Sequence, residues 1–369
     1  MHISDSHLGF SAYRKVDEST GINQREMDIY NAFQMAVDQI LSLRPDAVVH
    51  AGDLFDSVRP SNRAISFALE QLLRLSDAGI PVVVIAGNHS TPRLRETGSV
   101  FKIFDHIENV HPIYQGPHQR VELDGLAVHA VPHSDPQTMT TELLKARPKG
   151  RGHEVLVLHA AIASVRSFSM GEFNEAVLPD SLLREDMDYI ALGHYHKFTE
   201  VTRNAAYSGS TERLSFTEAK DDKGFLLCNL DSGERKPFHL DIRPMLDLPW
   251  IDAKGMSAED IALVIKDTLE TRDLEGAVVR LNVTNLRREL YRTLDFRGIY
   301  RTASAAMHLE PHFLIVDEDT SVQSSGTSFT ALDQEFDSFL SQRPVEGVSK
   351  ERIRQLGLEY LNRGLEPSD

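Results

Sequence analysis

The chain has 369 residues, which is enough for roughly two or three domains and a sizeable buried core. Hydrophobic residues make up 41% and charged residues 25%, as in ordinary globular proteins. The single cysteine, Cys228, excludes an internal disulfide and a multi-cysteine zinc site, and it fits a reducing compartment. No secretory signal pattern follows Met1, and no apolar run approaches the ~18 residues of a membrane span. We therefore expect a cytoplasmic protein without a membrane segment.

The formal net charge is −16 at pH 7, from 39 basic and 55 acidic side chains. Taken alone, this charge argues against a general nucleic-acid binder, because such proteins usually carry a basic face. The simple interpretation is a solvated acidic surface. The objection weakens if the chain binds divalent cations, because the metals then supply positive charge where a phosphate would lie.

Short apolar runs alternate with helical patterns over residues 1–235. Between the runs, apolar residues over 30–41 recur on one helical face, and a second helix is predicted over 62–76. This alternation predicts a layered α/β domain whose sheet is buried on both faces. The predicted strands, rich in Val, Ile and Leu, lie at residues 2–4, 46–51, 81–86, 154–158 and 188–192.

A smaller α+β unit is predicted after residue 238, where Ser257 and Asp260 form a capping-box-like helix start and strands are predicted at 277–283 and 311–316. The next segment is polar and has the composition of a linker, and two short amphipathic helices follow it. The predicted units are a main domain at 1–238, a second domain at 239–316, a linker at 317–328 and a helical tail at 329–369.

Polar side chains follow five of the predicted strands. In open α/β sheets, ligands bind outside the carboxyl ends of the strands, so we expect these side chains to share one rim. Glycines at 52, 87 and 193 would let the backbone turn sharply there. The set comprises Asp5, His7, Asp53, Asn88, His89, His159, His194 and His196.

The residue types in this set suit a pair of divalent metals. Two metals about 3.5–4 Å apart need a bridging carboxylate together with neutral nitrogen and oxygen donors, and they activate water for attack on a phosphoester. Imidazole and carboxylate together favour Mn, Fe or Zn. Each motif alone has an ordinary explanation as a turn, a helix cap or a packed histidine; the order and position of all of them carry the prediction. Packing or surface roles are expected for the remaining histidines, His50, His129, His133, His239 and His308.

Four longer strings carry a family resemblance. SDSHLGF at 4–10, AGDLFDSVRPS at 51–61, AGNHS at 86–90 and LGHYHK at 192–197 resemble the SbcD-type exonucleases, within the calcineurin-like metallophosphoesterases. The resemblance covers essentially the whole chain. It implies a layered metallophosphoesterase sandwich with a small α+β cap domain and a C-terminal helical tail that docks onto an ATPase.

The resemblance also implies roles for individual residues. Asp5, His7 and His196 would hold one metal. The other would be held by Asn88, His159 and His194, with Asp53 bridging the two. His89 would be catalytic without being a ligand: it would stabilise the phosphate or protonate the leaving oxygen.

The activity implied by the resemblance is hydrolysis of DNA with two Mn²⁺ ions. The family acts as a 3′→5′ exonuclease on double strands and an endonuclease on single strands, and it serves double-strand-break repair with an SbcC-like coiled-coil ATPase of the SMC type. A homodimer is left open. Phe336, Phe339 and Leu356 would form the centre of the ATPase contact, although the chain's own cap domain is an alternative surface for them.

Three features depart from the family pattern. Many relatives have an acid where this chain has Ser90, and some have a histidine where it has Asp56. Only four residues precede Asp5, so the first strand is expected to be shortened or the start misassigned.

Two other functions stay open from the sequence. The same metal set serves phosphodiesterases that act on nucleotides or other small phosphoesters. A DNA-end-binding subunit with a weakened site is the second alternative, which Ser90 and the acidic charge favour. Four basic residues near the rim would contact DNA phosphates or simply lie at solvated helix starts. They are Arg59, Arg63, Arg93 and Arg95.

Overall fold

The protein is described here from a computed structural model. It covers residues 1–91, 98–150, 152–168 and 175–316, together with residues 340, 349, 350, 352 and 354. The predicted linker and most of the predicted tail lie outside the described residues. So do five residues with predicted DNA or partner contacts: Arg93, Arg95, Phe336, Phe339 and Leu356.

Strands and helices alternate along the described chain. The strands are β1 (His2–Ile3), β2 (Val48–His50), β3 (Val82–Ile85), β4 (Val110–Ile113), β5 (Gln119–Leu123), β6 (Leu126–Val131), β7 (His153–His159), β8 (Ala161–Ile162), β9 (Val177–Leu178), β10 (Tyr189–Gly193), β11 (Thr199–Thr202), β12 (Ala205–Tyr207), β13 (Gly224–Cys228), β14 (Arg235–His239), β15 (Met245–Asp247), β16 (Ile251–Asp252), β17 (Val278–Arg287) and β18 (His308–Val316). The helices are α1 (Gln24–Leu43), α2 (Asn62–Asp77), α3 (Pro136–Leu143), α4 (Ala258–Glu270), α5 (Arg288–Thr293) and α6 (Phe296–Thr302).

Two six-stranded sheets form the larger part of the fold. The first has the order β14-β13-β1-β2-β3-β4, in which β1 to β4 are parallel and β13 and β14 are antiparallel neighbours at one edge. The second has the order β11-β12-β10-β7-β6-β5, with β12, β10, β7 and β6 parallel. Each sheet therefore has parallel central strands whose carboxyl ends lie on one side.

The two sheets pack face to face, which makes the fold a sandwich. Val49 and Val83 of the first sheet share a buried apolar cluster with Val128, Val157 and Ala191 of the second. Helices α1 and α2 cover the outer face of the first sheet, and α3 packs on the outer side of the second. Burial on both faces explains why the central strands are near-continuous runs of aliphatic residues. The layered α/β class predicted from the sequence is confirmed.

Local capping fixes where the helices begin. The Asn23 side chain accepts two backbone N–H groups at the start of α1, and Ser61 accepts one at the start of α2. Ser257 and Asp260 form a reciprocal capping box at α4, as their spacing predicts. Each such cap satisfies donors that the first helical turn leaves unpaired, typically stabilising the helix by about 1 kcal/mol.

A third, smaller sheet follows β14. Its central strand β17 pairs in parallel with β15 and β16 on one side and with β18 on the other. Helices α4 and α6 pack on it through Ile261, Ile265 and Ile299, which join an apolar cluster of their own. The predicted boundary between 238 and 239 falls within one residue of the end of β14, and the domain division remains a prediction.

Polar and aromatic contacts join the third sheet to the sandwich. Arg243, just before β15, donates two hydrogen bonds to the carboxylate of Asp28 in α1, at 2.6 and 2.8 Å. The His308 ring of β18 stacks on Tyr13 with centroids 3.9 Å apart. The guanidinium of Arg280 lies 4.7 Å from the centre of the Phe216 ring.

The sequence did not predict several strands at the sheet edges. The β5–β6 hairpin turns at Asp124-Gly125, and Gly125 has φ +70°, so an Asp-Gly turn signal lies between these two short strands. Among the residues that the structure describes, no helix combines the length and the apolar character needed to cross a bilayer.

Candidate metal centre

The predicted rim is formed by strand ends from both sheets. Three backbone hydrogen bonds bring the loops after the strands together. The N–H of Asp5, after β1, donates to the Gly52 carbonyl at 3.0 Å, and the N–H of His7 donates to the Asp53 carbonyl at 3.0 Å. Across the sandwich, the N–H of His194, after β10, donates to the Asp5 carboxylate at 3.0 Å. The loops of the two sheets are thus joined directly at this edge.

Two glycines make this close approach sterically feasible. A Cβ atom at Gly52 would lie 2.2 Å from the His159 ring, and one at Gly87 would lie 2.2 Å from the Asp53 carboxylate. Both distances are far below van der Waals contact. Any larger residue at either position would push a site side chain out of place.

The backbone at the site is held in an uncommon conformation. Asp5, His7 and Asp53 have φ values of 51°, 46° and 49°, and His194 has φ 111°. Left-handed backbone at non-glycine residues costs on the order of 1 kcal/mol or more and persists where surrounding contacts hold it. The hydrogen bonds between the loops provide such contacts, and they direct these four side chains inward.

Asp5, His7 and His196 form the first cluster, with ligand atoms all within 4.8 Å of one another and side chains buried. The two histidine Nε2 atoms face each other at 3.1 Å. Their Nδ1 atoms are each engaged by a carboxylate at 3.1 Å, Asp56 for His7 and Glu218 for His196. If each Nδ1 carries the proton, both Nε2 lone pairs point at the same space, which is the arrangement of a metal-ligating pair.

The second cluster contains Asp53, His159 and Asn88. His159 Nδ1 is 2.8 Å from the Ala51 carbonyl, so it carries the proton as donor. Its Nε2 lies 2.8 Å from Asn88 Oδ1 and 3.0 Å from Asp53 Oδ2. Asp5 also belongs to this cluster, with its carboxylate 3.9 Å from His159. The Asp5 carboxylate is therefore shared by the two clusters, whereas Asp53 is grouped with Asp5 and His159.

In the second cluster, Asp53 and His159 each favour the charged form of the other. Burial raises the pKa of Asp53, but the neighbouring His159 ring outweighs burial and holds this pKa well below its usual range. Burial lowers the pKa of His159, while the charge and hydrogen bond of Asp53 raise it to about 9. The two residues thus form a buried ion pair when a proton occupies His159. A cation at that position would replace the proton as the partner of Asp53.

His194 lies at the same rim but in a different environment. Its ring is 5.5 Å from that of His159, and its Nε2 is 3.2 Å from Glu175 Oε1. His194 lies outside the tight ligand groups formed among the described residues. Glu175 is a carboxylate at this edge of the site that sequence reasoning did not select.

His89 is oriented by the backbone. Its N–H donates to Asp53 Oδ1 at 2.9 Å, and its ring Nδ1 lies 2.9 Å from the Asp56 carbonyl oxygen. The Ser90 hydroxyl instead donates to the Phe55 carbonyl at 3.5 Å. In this chain, which has Ser90 where many relatives have an acid, the His89 ring is oriented by the Asp56 carbonyl. Asp56 engages His7 through its carboxylate and His89 through its carbonyl.

Three of the histidines with predicted packing or surface roles are buried. Buried His133 packs edge-on against the His159 ring at 6.2 Å, and its Nδ1 has no hydrogen-bond partner among the described residues. Burial lowers its pKa to about 4. Two other histidines form packing contacts: His50 bonds Ser6 at 2.9 Å, and His129 bonds Glu154 at 2.8 Å.

The two described arginines near the rim differ in their contacts. Arg63 is half-exposed and pairs with the Glu26 carboxylate at 3.2 Å. Arg59 is exposed. The contact with Glu26 gives Arg63 a structural partner within the fold.

The donor set fits divalent metals. Carboxylate oxygens, an amide oxygen and several imidazole nitrogens converge in a buried place, and two imidazole Nε2 atoms lie 3.1 Å apart with their other nitrogens engaged elsewhere. Facing lone pairs without an intervening cation would repel each other, so the arrangement needs a proton or a metal between them. Mixed nitrogen and oxygen donors suit transition metals better than Ca²⁺.

The fold and the convergent donors define a metallophosphoesterase. Residues 1–198 match the calcineurin-like phosphoesterase family, and this segment contains every strand-end residue of the site. The chain belongs to that family. Members use divalent metals, in agreement with the donor set.

Several similar proteins bear the name DNA double-strand break repair protein Mre11. The one from Methanococcus maripaludis is 32% identical over 62% of this chain and 62% of its own length. The one from Methanocaldococcus jannaschii is 28% identical over 70% of each chain, and that from Haloferax volcanii is 30% identical over 76% of this chain and 59% of its own. This chain thus covers less than two thirds of the Methanococcus and Haloferax relatives.

The close approach at Gly87 can be tested by adding one methyl group. Gly87→Ala should lower the free energy of unfolding by about 1–3 kcal/mol, because the new Cβ displaces Asp53 or its loop. Urea denaturation measures the change. Gly116→Ala is the matched control, since its nearest neighbour, on Thr138, lies 3.9 Å from the added Cβ. Equal stability of the two variants would contradict the proposed contact.

Proposed function

We propose that this chain is a Mn²⁺-dependent DNA nuclease that hydrolyses phosphodiesters with two metals. In this proposal Asp5, His7 and His196 hold one ion. Asn88, His159 and His194 hold the other. Asp53 bridges the pair, and His89 acts on the substrate.

The observation that carries the proposal is the facing pair of imidazole nitrogens on His7 and His196. Each ring is held at Nδ1 by a carboxylate, and the two Nε2 atoms lie 3.1 Å apart beside the Asp5 carboxylate. With a proton on each Nδ1, both Nε2 lone pairs are directed at one point. Metal ligation explains this arrangement.

The bound metals would neutralise a phosphodiester's charge and make hydroxide available near neutral pH. The protein's own contribution is orientation and proton control. The Ala51 carbonyl fixes the His159 tautomer at 2.8 Å, so Nε2 is the free donor atom. The Asp53 carboxylate is fixed by the His89 backbone N–H at 2.9 Å. These contacts hold the donors before a ligand arrives, which reduces the reorganisation needed for binding.

His89 would hold a proton next to the reacting phosphate. Its Nδ1 donates to the Asp56 carbonyl at 2.9 Å, which assigns Nε2 to the substrate in this proposal. The His89 ring lies edge-on to His7 at 4.8 Å, which puts it beside the first metal cluster. With both ring nitrogens protonated, His89 would stabilise a phosphate oxygen through the Nε2 proton, or give that proton to the leaving oxygen and keep the Nδ1 proton.

DNA as the substrate is supported by the names of the relatives, which are double-strand-break repair proteins. We carry over from the same resemblance the 3′→5′ exonuclease and single-strand endonuclease activities and the preference for Mn²⁺. Exposed Arg59 remains a candidate for a phosphate contact, as do Arg93 and Arg95, and Arg63 is a weaker candidate because it pairs with Glu26. The third sheet would act as the cap domain, with residues 1–238 as the nuclease domain and 239–316 as the cap.

The substrate class is tested with two substrates. The purified chain with Mn²⁺ should cleave both double-stranded DNA and bis-p-nitrophenyl phosphate, with DNA favoured. Cleavage of the small ester alone would instead support a phosphodiesterase for small phosphoesters. Loss of both activities, with two Mn²⁺ still bound, would support a DNA-end-binding subunit. Treatment with a chelator should abolish cleavage, and added Mn²⁺ should restore it.

Binding and chemistry are separated by two variants. His89→Ala should keep both metals and lower turnover about 10²–10⁴-fold, because it removes a proton donor that is not a ligand. Asp53→Asn should lose metal, because it removes the charge shared by both ions. Isothermal titration with Mn²⁺ and single-turnover cleavage measure the two effects. Normal turnover of His89→Ala would refute its catalytic role.

We further propose that the C-terminal segment docks onto a coiled-coil ATPase of the SbcC type. The support lies in the sequence: apolar residues recur on one side of each amphipathic pattern after a polar stretch. Amphipathic helices commonly bind in apolar grooves of a partner. Phe336, Phe339 and Leu356 would form the centre of this contact.

Removal of residues 326–369 tests the docking segment. The truncated chain should keep Mn²⁺-dependent cleavage of short substrates and lose co-purification with the ATPase. The double substitution Phe336→Ala with Phe339→Ala is a milder version and should give the same separation. Full binding by the truncated chain, or its failure to fold, would exclude this assignment.

A further inference from the structure

We propose that Glu218 and Lys223 are positioning residues that fix the His196 ring for metal binding, and that they set the affinity of one metal position. This inference rests on the metal centre of the proposed function. It adds a pair of residues that lie outside the strand-end motifs, 22 and 27 positions after His196.

The two residues contact His196 at its ring and at its backbone carbonyl. Glu218 Oε1 accepts from ring Nδ1 at 3.1 Å, and Lys223 Nζ donates to the backbone carbonyl at 2.6 Å. Lys223 Nζ also donates to Glu218 Oε2 at 2.6 Å, which closes a ring of contacts. Backbone position, ring rotation and tautomer of His196 are therefore constrained together.

Glu218 and Lys223 are both deeply buried, so their charges lose hydration, and the ion pair must offset that free-energy cost. Glu218 and Lys223 are 4% and 1% exposed, and His196 is 4% exposed. A buried ion pair is often no more stabilising than apolar residues of the same volume. Orientation of a metal ligand by a carboxylate is a function that apolar residues could not perform.

The turn that carries Glu218 is itself anchored. Phe216, in the short 3-10 helix Phe216–Glu218, packs with Met245 and Val278 of the third sheet beneath the Arg280 guanidinium. The Leu214 N–H donates to Glu218 Oε2 at 3.3 Å. The turn is therefore anchored on the third sheet through Phe216, and the Glu218 carboxylate is held by the Leu214 N–H as well as by Lys223.

The test measures Mn²⁺ binding without substrate. Glu218→Gln keeps the size of the side chain, but its amide cannot accept from both His196 and Lys223, because one of its two polar atoms is a donor. By isothermal titration, we expect one of the two Mn²⁺ affinities to weaken about 10–100-fold while the other is unchanged. Glu154→Gln is the matched control: Glu154 is a buried carboxylate that also pairs with a histidine, His129, outside the described metal clusters.

A second variant guards against misfolding. Glu218→Gln combined with Lys223→Met removes both buried charges, so no ammonium is left without a partner, and it should weaken the same Mn²⁺ position. Unchanged affinities in a folded variant, equal weakening of both positions, or unfolding of both variants would overturn the inference. If the wild-type chain binds two Mn²⁺ but does not cleave DNA, the nuclease proposal is wrong and the inference about Glu218 and Lys223 is unaffected. A wild-type chain that binds no Mn²⁺ would overturn both.

Discussion

The site depends on contact between the loops of two sheets at the edge where their parallel strands end. Gly52 belongs to the first sheet's loops and His159 to the second sheet, and a Cβ on the glycine would lie 2.2 Å from the ring. The His194 N–H reaches across to the Asp5 carboxylate at 3.0 Å. Without this approach, Asp53 and His159 could not form their buried pair. The sandwich packing thus sets the distance between donors that come from distant parts of the chain.

Once the loops of the two sheets are in contact, metal binding also requires that each imidazole ring be correctly oriented. Three different acceptors engage Nδ1: a carboxylate for His7, a second carboxylate for His196 and a backbone carbonyl for His159. The carbonyl imposes no charge, whereas each carboxylate adds a negative charge close to the first cluster. Asp56 also supplies the carbonyl that orients His89. Asp56 therefore contacts both His7, through its carboxylate, and His89, through its backbone carbonyl.

Sequence patterns predicted the parts of this arrangement that are local. Asp5, Asp53 and His159 directly follow or end apolar runs, so their shared edge was foreseeable from strand ends. Two sheets rather than one open sheet could not be read from the runs, because both arrangements bury aliphatic strands on both faces. Glu218 lies far from any predicted strand end, and its role comes from tertiary contacts that no spacing encodes. The β5–β6 hairpin, by contrast, is marked in the sequence by the Asp-Gly pair at its turn.

Under the proposed function, metals bound at the site would reconcile the acidic charge of the chain with a phosphodiester substrate. A chain of net charge −16 repels DNA at long range, and salt screens this repulsion beyond about 10 Å at 0.1 M ionic strength. Asp5 and Asp53 are the carboxylates of the two clusters, and they would neutralise only part of the charge of two divalent cations. The remaining positive charge would lie where the phosphate binds, in a buried place where screening is weak. Attraction for the substrate would then depend on the metals themselves, so an unloaded centre would disfavour DNA binding as well as cleavage.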